Sequence, residues 1–424
     1  MKIHIKNGRL IDPKNNIDTK QDVFIAAGKV VGVGKAPDSF AANQVIDATN
    51  LIVCPGLVDL SARLREPGFE YKATLISEMQ AAAAGGITSL ACPPDTAPVL
   101  DEPGLVEMLK HRAKGLNLAH VYPLGALTKQ LNGEELTEMC ELTEAGCVGF
   151  SQADIAITDT QVLWRAMQYA ATFGFTVWLR PEETYLARNG VAHDGEVATR
   201  LGLKGIPAAA ETLAIASILR LARETGAKVH LCRLSTGEGV AMVHEAKKQG
   251  LNVSCDVAAT HLHLTEHDIG FFNADCRLKP PLRSGRDREA LSKGLADGTI
   301  DAVCSDHTPV DDDAKLLSFA EAEAGATGLE LLLPLSLKWA SESKVSLNTT
   351  ITRLTSSPAQ ILGINAGHLS LNSDADICIF DPQQYWKIEA KSLLSQGKNT
   401  PFLGMEMAGK VRYTLLDGQV VYKY

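Results

Sequence analysis

The chain has 424 residues, 45% of them hydrophobic and 21% charged, with a net charge of -9. This is the balance of a globular protein, long enough for one large α/β barrel with additions or for two to three ordinary domains. The acidic excess gives no general attraction to phosphate backbones or anionic membranes, so neither nucleic acid nor membrane is expected as a partner. The nine cysteines are scattered, odd in number and without a Cys-x-x-Cys pair, and most sit in apolar runs as buried free thiols do. The N-terminus opens directly into a strand pattern and no long uninterrupted apolar span occurs, so the expected location is the cytoplasm.

Residues 1–53 alternate apolar and polar positions between Gly, Asn and Pro breaks: Ile3 and Ile5, then Val23 to Ile25, Lys29 to Val33, and Val45 to Asp47. Such alternation predicts short antiparallel strands. The last stretch, 365–424, does the same at Ala375 to Asp381, Lys410 to Leu416 and Gln419 to Tyr422. Two β-rich ends around a different middle predict one small β-sandwich domain assembled from both termini.

The middle, 54–364, alternates short apolar strands with amphipathic helices. The strand candidates are Cys54–Ser61, Ile87–Cys92, Ala119–Leu124, Cys147–Phe150, Thr176–Arg180, Lys228–Arg233, Asn252–Asp256 and Asp301–Ser305. Helical periodicity is clearest over Glu211–Thr225 and Gly237–Lys248. Eight strand-then-helix units predict a (β/α)8 TIM barrel, with an open doubly wound sheet as the alternative.

In a barrel, chemistry belongs at the C-terminal strand ends. Those ends carry Ser61 and Arg63, then Asp95, then Gln152, Ala153 and Asp154, then Arg180, Arg233, His261 with His263, and Asp306 with His307. The first of these is the stretch around which the rest is arranged. A buried run ends in Asp59, Ser61 and Arg63, which alternate along a strand and so share a face, ahead of Arg65-Glu66-Pro67-Gly68. A metal site would want His-x-His there.

The stretch resembles the metal-binding opening of the cyclic amidohydrolases, narrowed by Arg65 to Gly68 to the dihydroorotase branch. Further markers span nearly the whole chain: Ser235-Thr236, Pro280-Pro-Leu-Arg283, Ser305-Asp-His-Thr-Pro309, Gly328-Leu-Glu330 and Asp374-Ala-Asp-Ile-Cys-Ile-Phe-Asp381. The family cyclises carbamoyl aspartate to dihydroorotate with zinc and a proton-shuttling aspartate. By this resemblance Ser61 and Arg63 stand where the family has its first two histidines. Ala153 stands for the acid of the fourth strand, and Arg180 and Arg233 for the histidines of strands five and six. Asp306 alone keeps its identity. Alanine cannot coordinate, serine is a poor zinc ligand and arginine is a permanent cation, so zinc is expected to be absent. Around this relic pocket the family's substrate-gripping Arg65 is kept, while Asp95 and Lys279 replace asparagines and Val310 a histidine.

Several sharper readings compete with blander ones. His261-Leu262-His263, with His267 beyond, could chelate a metal, but a site normally needs three or four protein ligands. Asp306 with His307 could be an acid–base pair; an ion pair of Asp306 with Arg63, Arg180 or Arg233 is the simpler expectation. Arginine clusters also bind phosphates and carboxylates. Ser61 has no partner base as a nucleophile, Asp311 to Asp313 reads as a solvated loop, and Cys232 beside Arg233 as strand packing.

The resemblance therefore implies a catalytically inactive dihydroorotase homologue. Chains that have lost the ligand set in this way are similar to the non-catalytic partners of aspartate carbamoyltransferase, a homodimeric building unit that holds the transferase's catalytic chains in a larger complex. The alternatives are an amidohydrolase-fold enzyme of altered metal content and substrate, and a module binding an anionic metabolite.

Overall fold

The structure is a computed structural model describing residues 1–424. The alternating terminal segments pair into two sheets. One runs in the spatial order Lys29–Val33, Val23–Ala26, Lys2–Lys6, Gln44–Asp47. The other runs Gln419–Lys423, Glu406–Leu416, Ile377–Lys387, Ile52–Pro55, Arg9–Asp12, Ile17–Lys20. Their inward residues, among them Ile3, Ile5, Val23, Ile25, Val53, Ile377 and Leu415, form one 14-residue buried cluster. Burial of such alternating apolar faces is what makes the sandwich stable.

The middle of the chain forms the barrel. Its strands are Leu57–Asp59, Ile87–Cys92, His120–Pro123 continued by Gly125–Ala126, Phe150–Ser151, Thr176–Leu179, Lys228–Leu231, Val253–Ala258 and Ala302–Cys304. All of these pairings are parallel. A parallel bridge between Ala62 and His307 closes the ring, reinforced by Arg63 N–H donating to His307 O at 2.9 Å. Helices Ala209–Thr225 and Gly237–Lys248 lie at the predicted positions, the second capped by Thr236, whose hydroxyl accepts from Gly239 N–H. A buried cluster of 76 residues fills the space between strands and helices.

One expected strand divides. Cys54–Ser61 is split at Gly56 into Ile52–Pro55, which pairs with Ile377–Lys387 in the sandwich, and Leu57–Asp59, which pairs with Ile87–Cys92 in the barrel. The expected boundary between 53 and 54 thus falls inside a sandwich strand. Both halves are buried on both faces, so the apolar run is continuous and hides the break. Gly56 permits it by close approach: a Cβ there would lie 2.0 Å from Thr88 Oγ1. The fourth strand also sits later than expected, at Phe150–Ser151 rather than Cys147–Phe150. All nine cysteines are free thiols, and no helix is long and apolar enough to cross a membrane.

Candidate functional site

The strand ends are held by buried polar contacts that leave little freedom. Asp59 accepts from Ser305 N–H at 2.8 Å and from Ser305 Oγ at 2.5 Å, tying the first strand to the eighth. Burial pushes the Asp59 carboxyl up to about 6 against these bonds. Asp256 accepts the Arg233 N–H at 2.5 Å with one oxygen and lies 3.1 Å from His230 Nε2 with the other. Arg65, Ala153, Arg233 and Asp306 all have left-handed backbone, φ 61°, 50°, 56° and 47°. That conformation is costly for a residue with a Cβ, so the surrounding contacts must impose it.

On this frame the three arginines converge. Asp154 is the hub: Arg63 Nη2 donates to it at 2.8 Å, Arg180 Nε at 2.9 Å and Arg233 Nη2 at 2.5 Å. Arg63 also reaches Asp95 through Nε at 2.7 Å and Thr308 Oγ1 at 3.0 Å. Arg233 Nη1 donates to Asp306 at 2.7 Å, with Arg63 Nη1 3.6 Å from the same oxygen. Arg180 turns its fork on Glu182, at 2.7 Å for each bond. Lys279 Nζ donates to the Asp154 carbonyl at 3.2 Å and stands 3.8 Å from Glu182. Asp95, Asp154, Glu182 and Asp306 are thereby matched by Arg63, Arg180, Arg233 and Lys279.

Electrostatics follow the geometry. Burial works to raise the Asp154 carboxyl, but Arg233, Arg63, Arg180 and Lys279 hold it well below the usual carboxylate range. At Asp306 burial wins over Arg233 and Arg63, and its carboxyl is raised. Arg63 and Arg233 are pushed further up by their carboxylates against the opposing effect of burial.

This donor set does not fit the zinc of a cyclic amidohydrolase. A metal wants lone pairs, and three of the positions aim guanidinium N–H groups, which have none, at the shared centre. Ala153 offers only a buried methyl, packed with Ala126 and Leu131. Ser61 Oγ lies 3.5 Å from Asp306 Oδ1, an oxygen already paired with Arg233. Each carboxylate that remains has at least one oxygen paired with an arginine.

The histidines are not drawn into a chelate. His261 is buried, its Nδ1 3.1 Å from Thr260 Oγ1 and its Nε2 unpartnered, and burial pulls it down to about 4. His263 points elsewhere, with Nε2 bonded to Leu335 O at 2.9 Å, and His267 lies exposed on the next turn. His307 is no acid–base partner for Asp306. Its Nδ1 accepts from Gly328 N–H at 3.0 Å, so Nε2 carries the proton and donates to Glu78 at 2.5 Å, facing away from the pocket. Arg65 Nε donates to Pro309 O at 2.8 Å, and no carboxylate lies within ion-pair reach of this guanidinium.

Asp154, Glu182 and Thr308 are the participants that strand-end reasoning underrated. Asp154 follows Ala153 directly, and Glu182 is two residues past Arg180, so alternation along an extended strand end was the available signal. The conspicuous motifs serve the frame. Ser235 and Thr236 donate their N–H groups to Glu211, Arg283 donates to Ser235 Oγ at 3.2 Å, and Glu330 accepts from Leu394 and Ser395 N–H.

Comparison with known proteins gives consistent relatives. Residues 50–239 match the family model described as Dihydro-orotase-like. The chain is 43% identical over 423 residues to a "Dihydroorotase-like protein" of Pseudomonas aeruginosa, covering all of both chains. It is equally 43% identical over 423 residues to a "Dihydroorotase" of Geotalea daltonii, again covering all of both. Among solved structures, the L-hydantoinase of Arthrobacter aurescens superposes with a TM-score of 0.89 at 26% identity, covering 99% of this chain and 96% of that one. The dihydropyrimidinase of Brevibacillus agri shares the fold with a TM-score of 0.85 at 22% identity, over 100% and 95% of the two chains.

Proposed function

The chain belongs to the dihydroorotase-like family of amidohydrolases, and from that premise we propose that it is a non-catalytic member acting as an assembly subunit for aspartate carbamoyltransferase in pyrimidine biosynthesis. The observation that supports the non-catalytic part is the Asp154 hub, where Arg63, Arg180 and Arg233, which by resemblance stand at the family's ligand positions, converge with fixed positive charge. A hydrolytic water there would have no Lewis acid to lower its pKa and no unpaired carboxylate to take its proton. The partner is supported by resemblance alone: family members with a lost ligand set are similar to scaffolds for the transferase, and a homodimer working in the cytoplasm is the corresponding unit. One 43% identical relative carries the name "Dihydroorotase-like protein", while another at the same identity is named "Dihydroorotase".

Two measurements test this. Gentle purification through a tag on this chain, with sizing and subunit identification, is expected to yield the transferase's catalytic chain in fixed ratio. Elution of the chain alone as a dimer would remove the partner. Incubation with dihydroorotate or carbamoyl aspartate and added zinc is expected to give no turnover; turnover abolished by Asp306→Ala would establish an enzyme of altered chemistry instead.

One observation favours a second reading, an anionic-metabolite module. Arg65 remains a cation without a carboxylate partner beside an otherwise balanced network. Thermal stabilisation by carbamoyl phosphate, carbamoyl aspartate or orotate, lost in Arg65→Ala, would support it.

A further inference from the structure

A second cluster of titratable side chains lies at the opposite end of the barrel, against the sandwich. His120 begins the third barrel strand at its N-terminal end. Asp376 immediately precedes the sandwich strand Ile377–Lys387, and Asp417 sits in the turn between Glu406–Leu416 and Gln419–Lys423. The three meet across the junction. His120 Nε2 is 3.2 Å from Asp376 Oδ2 and 3.7 Å from Asp417 Oδ1, and one ligand atom from each residue lies within 4.8 Å of the others.

The two separations from His120 suit a ligand set. Around a tetrahedral zinc, bonds of about 2.0–2.1 Å place neighbouring donors roughly 3.3–3.5 Å apart, between the two distances found here. The donors are an imidazole and two carboxylates, a combination suited to zinc or cobalt. Charge points the same way. Asp374, next to them, is paired with Lys29 at 2.5 Å, and His120 is the cation within ion-pair distance of both Asp376 and Asp417, Lys29 acting on them only from farther off. Asp376 uses its other oxygen to accept the Asp417 N–H at 2.9 Å, so Oδ2 is fixed in its aim.

A further polar group lies alongside. Ser89, opposite His120 in the register of the second and third barrel strands, shares its face, and its buried Oγ has no hydrogen-bond partner. The outer side is open, since the Asp417 side chain is 41% exposed, so water can complete four-coordination.

We propose that His120, Asp376 and Asp417 form a divalent-cation site of the zinc or cobalt class that clasps the barrel to the sandwich. The site is independent of the arginine network and of the functional reading above. It also means that a zinc content near one per chain would not by itself describe the mouth of the barrel.

The test is titration of the chelator-treated full chain with Co2+, followed by visible absorption and by competition with Zn2+. One equivalent per chain with the intense spectrum of four-coordinate Co2+ is expected. Binding should be lost in His120→Ala and weakened about tenfold or more in Asp417→Asn, a turn substitution that leaves the core untouched. It should persist in Asp306→Asn. Absence of binding at millimolar Co2+, binding undiminished in both junction variants, or binding lost in Asp306→Asn alone would each overturn the proposal.

Discussion

The two ends of the barrel neutralise their carboxylates differently. At the mouth, Asp154 meets three guanidinium groups, and every neighbouring carboxylate has its own cation on the chain. At the junction, Asp376 and Asp417 share one imidazole. A guanidinium stays charged at any ordinary pH and fills the space it neutralises, whereas an imidazole is a conditional counter-ion that can yield its place to a metal. The mouth therefore carries its own fixed cations, and the junction has the conditional counter-ion that the proposed cation site requires.

The largest expected effect breaks the mouth. Asp154→Ala leaves three buried guanidinium groups facing one another and should cost about 3–5 kcal/mol of stability, read from urea unfolding. A loss under about 1 kcal/mol would mean that the arginines simply swing to water. Because the Asp154 carboxyl is held low, the stability it adds is complete above its unfolded value of about 3.9 and disappears as pH falls through the still lower folded value. Asp154→Asn should remove that final acid limb.

A second pH effect belongs to His261 at the same end. Burial lowers it from 6.5 to about 4, so between those values the unfolded chain takes up a proton that the folded chain refuses. Stability should fall on acidification through that window by about 1.4 kcal/mol per pH unit. His261→Gln should flatten the slope by one proton, measured by unfolding at successive pH values.

The remaining predictions sharpen the contrast. Arg65→Ala removes one hydrogen bond to Pro309 O and no ion pair, so it should cost only about 1 kcal/mol, far less than Asp154→Ala. At the junction, Lys29→Ala breaks an exposed pair with Asp374 and should leave the thermal midpoint unchanged at physiological salt.

Much of the fold was legible because burial writes itself into periodicity. Alternation marked the sandwich strands, and apolar runs separated by amphipathic helices marked the barrel. The division at Gly56 was not legible, since a strand buried in a sandwich and one buried in a barrel have the same composition. At the site, Arg63, Arg180 and Arg233 could be placed at strand ends from sequence. Asp154 could be placed there too, but its role as their common partner could not be read, because a left-handed turn at Ala153 sets where its carboxylate lies. His261-Leu262-His263 looked like a chelate, and the short 3-10 turn over Ala259–Leu262 sends the two rings in different directions.

By itself the sequence determined the barrel with its terminal sandwich, the family, and the presence of three arginines at the strand ends. These are matters of residue type and period, which a linear chain carries. Tertiary structure alone decided which carboxylate serves which arginine, that His307 turns toward Glu78 rather than Asp306, and that His120, Asp376 and Asp417 meet at all. Such pairings join residues tens to hundreds of positions apart, and the angstrom-scale distances that govern their charge are set only when strands, turns and domains have closed on one another.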